Sequence, residues 1–309
     1  MTTRRDFLRT SAALLVAGQA RREATGPLGR LPIGFSTLGC PAWDWRQVLD
    51  FAAAHGYVAV ELRGLQQTMD LTQHPGFAPA RLDQTRRELA VRGLSVSCLG
   101  SSAHMHEMDP AKHTAQLDEA RRFIDLAEAL GAAFVRVFGD RYVEGVPREA
   151  MLAKVARGLR ELGDYAADKR VTVVIESHGD FTDSPALLEI LERAESPAVG
   201  LLWDAHHTFV SGKEVPEDTV SRLGRWIRHT HLKDSVPAGT GRRYVLTGRG
   251  EVPIGAQVEA LARAGYRGYY SFEWEKRWHP EIEEPEVAIA HFAKVASEHL
   301  RAAGVPEVS

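Results

Sequence analysis

Eight short apolar runs recur about every 35 residues between positions 33 and 274, and stretches with helical periodicity separate most of them. The runs are 33–37, 57–62, 94–100, 133–139, 171–176, 199–204, 226–232 and 269–274. Between them, apolar residues three and four apart mark amphipathic helices, as in WRQVLDFAAAHG and REAMLAKVARGLRELGDYAADK. Gly56, Gly93 and Gly131 stand just past helices, where a left-handed residue ends the last turn. Eight strands alternating with helices predict an α/β fold, a (β/α)8 TIM barrel built as a single domain over residues 31–309. The rival is a doubly wound open sheet. No G-x-G-x-x-G follows the first run, and polar residues gather at the C-terminal ends of many runs, so the barrel is preferred.

Residues 1–30 stand outside that pattern. MTTRRDFLRTSAALLVAGQA carries Arg4 and Arg5, then Phe7 and Leu8, a short apolar stretch and a small-residue end near Ala20. This resembles a twin-arginine signal followed by a linker, which implies the export machinery as a partner and a periplasmic or other extracytoplasmic location. The apolar stretch is too short for a membrane span, which takes about 20 residues. A net charge of −3 offers no basic face for nucleic acid. Two cysteines, Cys40 and Cys98, are too few and too far apart for a disulfide framework and read as small buried residues.

The chemistry gathers where the strands end. VTVVIE delivers Glu176, VGLLWD delivers Asp204, RHTHL delivers His229 and His231, and YYSFEWE delivers Glu273 and Glu275. A buried carboxylate without a partner costs several kcal/mol or so, so these groups need something to hold. Two glutamates, an aspartate and a histidine converging on one barrel face form an oxygen-rich ligand set for a divalent cation, with Mn²⁺ first and Mg²⁺, Co²⁺ or Zn²⁺ as alternatives. The period of two in HTHLK puts His229, His231 and Lys233 on one inward face. Ordinary roles compete at each position: Glu176 and Glu273 as ion-pair partners of Arg63, Lys233 or Arg249, and Asp204 as the N-cap of the segment that follows.

The ordered set VVIESHG, LLWDAHH, RHTHLKD, GRGEVPI and YYSFEWE is similar to the xylose isomerase-like barrel superfamily, in particular its sugar phosphate isomerase/epimerase branch. The resemblance implies metal ligation by Glu176, Asp204, His231 and Glu273. It also implies that His207, of the D-x-x-H element, contacts a substrate hydroxyl. His178, Arg63, Lys233 and Arg249 are further candidates for substrate binding, and His206 reads as structural. Trp43, Trp203 and Trp274 lie near strand ends, where their faces can pack on a sugar ring or on the core. Members of the family often pair, which leaves a homo-oligomer open.

The expected reaction is isomerisation or epimerisation of a small carbohydrate by α-proton abstraction, with Glu176 and Glu273 as the catalytic pair and a divalent ion stabilising the enediolate. The alternative is a dehydratase or lyase on a keto sugar, inositol or oxidised glycoside, which begins with the same step. A DNA-repair nuclease of the same superfamily is a poorer fit, because residues 234–250 contain no histidine. A non-catalytic sugar-binding barrel is disfavoured by the retention of all four ligand types.

Overall fold

The computed structural model describes residues 30–308. Eight parallel strands close into a barrel: β1 (Ile33–Ser36), β2 (Ala59–Leu62), β3 (Ser95–His104), β4 (Phe134–Phe138), β5 (Thr172–Glu176), β6 (Val199–Asp204), β7 (Ile227–Leu232) and, after a hairpin, β10 (Tyr270–Phe272). The first strand closes the ring by pairing with both β2 and β10. All eight runs read from the sequence are barrel strands, so the single-domain (β/α)8 architecture is the observed one. The proposed signal and nearly all of its linker lie outside the described residues. No helix among the described residues is long and apolar enough to cross a membrane.

Helices form where apolar spacing and caps coincide. Asp44 opens α1 (Trp45–Ala54) with a capping box: its carboxylate accepts from Gln47 N at 2.8 Å, and the Gln47 side chain accepts from Asp44 N at 3.0 Å. Val48, Leu49 and Ala52 then form the buried stripe of that helix. Gly131, at φ 75°, ends the helix Pro110–Leu130 as its sequence position predicts.

Strand parity divides two environments. On β4, Val135 and Val137 join the large cluster beneath the helices, whereas Phe134 packs with Cys98, Val174 and Leu202 in a separate cluster inside the barrel. Cys98 therefore fills the interior as a buried thiol. Two residues further along the same strands, the inward positions become Arg136, Glu176 and Asp204. A side-chain period of two carries that switch from apolar floor to charged rim.

Two features depart from the sequence reading. Strand β3 runs on to His104 instead of ending at Gly100, with a register shift against β4 between Gly100 and His104. Residues to which the sequence pattern assigns no element form an antiparallel hairpin, β8 (Asp234–Ala238) and β9 (Gly241–Val245). Buried Asp234 anchors it: Oδ2 accepts from Gly248 N and Gly250 N at 2.9 and 2.8 Å, and Oδ1 accepts from Ser235 N and Val252 N at 2.8 and 3.1 Å. Four backbone donors on one carboxylate fix a segment whose turn residues alone leave it open.

Candidate functional site

Barrel closure brings Glu176, Asp204, His231 and Glu273 together at the C-terminal rim. One ligand atom from each lies within 4.8 Å of all the others, and all four residues are buried. His231 Nδ1 is the hub, at 3.3 Å from Glu176 Oε1, 3.2 Å from Glu273 Oε1 and 3.8 Å from Asp204 Oδ2. Register accounts for part of this, since Asp204 and His231 are cross-strand partners on β6 and β7. The same four residues are those that the resemblance implies.

The two readings of Asp204 are compatible because its oxygens divide the work. Oδ1 caps the short helix Ala205–Val210 by accepting from His207 N at 2.9 Å. Oδ2 has no hydrogen-bond partner, although Lys233 Nζ lies 2.8 Å away off the bonding direction. Glu176 Oε2 is likewise unpartnered, with Arg136 Nε at 3.3 Å but misaligned. Burial pushes the Asp204 carboxyl up to about 6; Lys233 opposes that rise, and the neighbouring Glu273 and Glu176 add to it. Crowded carboxylates, free oxygens and one imidazole nitrogen facing a common point fit a divalent cation.

Behind the cluster lies a support that sequence spacing does not reveal. Glu61 Oε2 accepts from Nε2 of both His231 and His229, each at 2.8 Å. The contact holds the His231 ring with Nδ1 facing the cluster, the arrangement in which a carboxylate orients a metal-binding imidazole. Burial alone would raise the Glu61 pKa, but the two imidazoles hold it well below the ordinary carboxylate range. Arg63, its neighbour two residues on, does not pair with it. Arg63 and Arg136 instead press together on Gly100, where an added Cβ would come within 2.7 Å of Arg63 Cδ and 2.8 Å of Arg136 Nη2. Arg136 is the residue the sequence reading passed over. The available signal was a lone charge in the apolar strand AFVRVFG at inward parity.

Among the substrate candidates, His207 and His178 stand at the accessible edge. His207 Nε2 is 3.5 Å from Asp204 Oδ2, its side chain is 18% exposed, and its ring meets His178 edge-on with centroids 5.1 Å apart. The His178 side chain is 37% exposed, with Nδ1 3.6 Å from Asp140 Oδ1. Asp140 is a second unforeseen rim residue, its pKa lowered to about 2 chiefly by His178. His206 is buried, bonds Ser235 Oγ at 2.7 Å, and is held neutral by burial, which drops its pKa to about 3, with Lys233 and Arg242 adding to the effect.

Lys233 is fully buried among Asp204, Glu273 and Glu275. Arg249 is not brought to the cluster: it is exposed and lines a surface groove with Arg243, Glu281 and Glu283. Trp43, Trp203 and Trp274 all belong to the core beneath the helices, and Trp203 and Trp274 satisfy their indole N–H groups on Thr208 and Glu283. Their role is packing rather than a sugar platform.

The chain is similar to several known proteins. An inosose dehydratase from Geobacillus thermodenitrificans is 26% identical over 300 residues, covering 85% of this chain and 94% of its own length. A solved IolI protein with a bound zinc atom superposes with a TM-score of 0.75 at 18% identity, covering 88% of this chain and 99% of that one. A D-psicose 3-epimerase from Clostridium cellulolyticum, solved with D-tagatose, gives a TM-score of 0.70 at 14% identity over 88% and 99% of the two chains. Residues 49–295 match the xylose isomerase-like TIM barrel family, most of the chain, with the ligand-type residues at the rim where strands β5, β6, β7 and β10 end. The chain belongs to the xylose isomerase-like TIM barrel family.

Proposed function

We propose that the protein is a divalent-metal-dependent dehydratase acting on a polyhydroxy ketone of the inosose class. The observation that carries this reading is the meeting, at one rim, of two site-facing glutamates with two part-exposed imidazoles, His178 and His207. Water loss needs both partners: a carboxylate to take the proton beside the carbonyl and an acid to protonate the hydroxyl that leaves from the next carbon. The extent of similarity to an inosose dehydratase supports the same chemistry.

Glu176, Asp204, His231 and Glu273 would hold the ion, which when bound supplies Lewis-acid polarisation of the substrate carbonyl and so acidifies the neighbouring C–H. Glu61 keeps His231 oriented through Nε2. Either Glu176 or Glu273 removes the proton, and His178, whose pKa is raised because Asp140 outweighs its burial, delivers one to the departing hydroxyl; burial holds His207 well below the ordinary imidazole range, so it serves as a neutral contact to a substrate hydroxyl. Three carboxylates with one imidazole favour Mn²⁺, and the zinc in the similar IolI structure places Zn²⁺ in the same trial.

A second reading, sugar epimerisation or isomerisation, is favoured by a specific feature. Glu176 and Glu273 face the cluster from two separate strands, and two-base proton exchange needs two such carboxylates. Incubating metal-loaded protein in D₂O with an inosose and with keto sugars separates the readings. A product lighter by one water supports the dehydratase; an isomeric product one mass unit heavier, with deuterium beside the carbonyl, supports the epimerase. Neither product from any such substrate would count against both. Export through the twin-arginine route is also proposed from Arg4 and Arg5: changing both to Lys should retain the protein in the cytoplasm, and unchanged export removes that reading.

A further inference from the structure

The Lys233 ammonium occupies an unusual place. Its side chain is fully buried, and Asp204, Glu273 and Glu275 surround Nζ, with Asp204 Oδ2 at 2.8 Å and Glu275 Oε1 at 2.7 Å. Two of these three carboxylates also belong to the ligand cluster. Glu273 turns Oε1 toward His231 Nδ1 and gives Oε2 to Lys233; Asp204 Oδ2 lies 2.8 Å from Nζ and 3.8 Å from His231 Nδ1. Two carboxylates thus bridge one cation position, among the four ligands, and a second position filled by Nζ. Bridged cation pairs of this kind are the plan of two-metal centres, whose ions stand about 3.5–4 Å apart.

We propose that Lys233 is a built-in monocation in the second position of a two-cation centre, and that it restricts this protein to one divalent ion. The inference rests on the metal reading above and concerns what the chain itself places beside that ion. An ammonium suits the position because it is a compact charge that donates to Glu273 and Glu275 while its charge faces Asp204 Oδ2 at 2.8 Å. The Tyr244 ring, 5.8 Å from Nζ, covers another side. With no exposed face, Lys233 positions Glu273 and Glu275 and is not itself a catalytic residue.

The test is Mn²⁺ stoichiometry together with electron paramagnetic resonance on the full chain. Wild type should retain about one equivalent after dialysis and show the spectrum of isolated ions even with Mn²⁺ in excess. Lys233→Ala, which empties the position and leaves three carboxylates, should take up about two equivalents and show an exchange-coupled pair. Lys233→Arg, which keeps the charge, should stay at one. Should the alanine variant fail to fold, Lys233→Met refolded with excess Mn²⁺ is held to the same criteria. A coupled pair in wild type, or a neutral variant limited to one ion or unable to fold with Mn²⁺ present, overturns the proposal. Wild type without tightly held metal would instead defeat the metal reading itself, so the two failures are distinct.

Discussion

The floor and the rim of the barrel interior are built from the same strands at the same parity, yet they do different work. On the floor, Cys98, Val174 and Leu202 pack with Phe134. One inward step higher on three of those strands stand Arg136, Glu176 and Asp204, whose charges are balanced against one another and against His231 and Lys233. Folding stability is concentrated in the floor and in the apolar layer beneath the helices, because burying charge costs free energy even when it is paired. The rim contributes chemistry instead. Substitutions in the two layers should therefore separate stability from activity.

The largest expected effect is at the rim. Glu176→Gln and Glu273→Gln each keep an oxygen toward the metal position but remove a base, so turnover should fall by about 10² or more. Melting temperature should move little. Steady-state kinetics and thermal melts on the same preparations check this, and a variant that turns over like wild type passes the role of base to His178 or His207.

The floor should give the opposite signature. Leu202→Ala removes a fully buried side chain from the small interior cluster and should destabilise the fold by about 2–5 kcal/mol. Chemical denaturation measures that loss. Turnover per folded molecule should stay within a few-fold of wild type, and a collapse of turnover in folded protein would show that the layers are coupled.

Between the layers sits Glu61, which touches no part of the rim cluster except through His231. Its change to Gln should weaken metal affinity by about 10–100-fold while the ligands themselves remain. A metal-buffered titration reads this directly, and unchanged affinity would reduce Glu61 to a packing role. The smallest effect is expected at exposed Arg249: Arg249→Ala should shift stability by no more than about 0.5 kcal/mol. A raised KM at unchanged kcat would recover the substrate role its sequence position suggested; an unchanged KM leaves a surface arginine.

The features legible in the sequence are those encoded locally. Val-Val-Ile ahead of Glu176 marks both a buried strand and its end, and HTHLK displays its own parity, so the barrel follows from short stretches read in order, and the choice of the four clustered residues follows from the family resemblance that those stretches carry. The support behind them is encoded by closure. Glu61 meets His229 and His231 across 168 and 170 residues, a contact that exists only because β1 seals the ring between β2 and β10. Arg136 is hidden for a related reason, since a lone charge in an otherwise apolar strand has no assigned side until the inward direction is known. The β8–β9 hairpin depends on one buried aspartate collecting donors from a distant loop, and local turn chemistry does not announce it.

The central claim is that the rim cluster is a metal site, and its position can be measured. Crystals grown with Mn²⁺ and collected above and below the manganese absorption edge should give one strong anomalous peak bounded by Glu176, Asp204, His231 and Glu273, and Asp204→Ala crystals should lose it. A peak held by other side chains, such as His206 with His207, or full occupancy in the Asp204→Ala variant, would contradict the account.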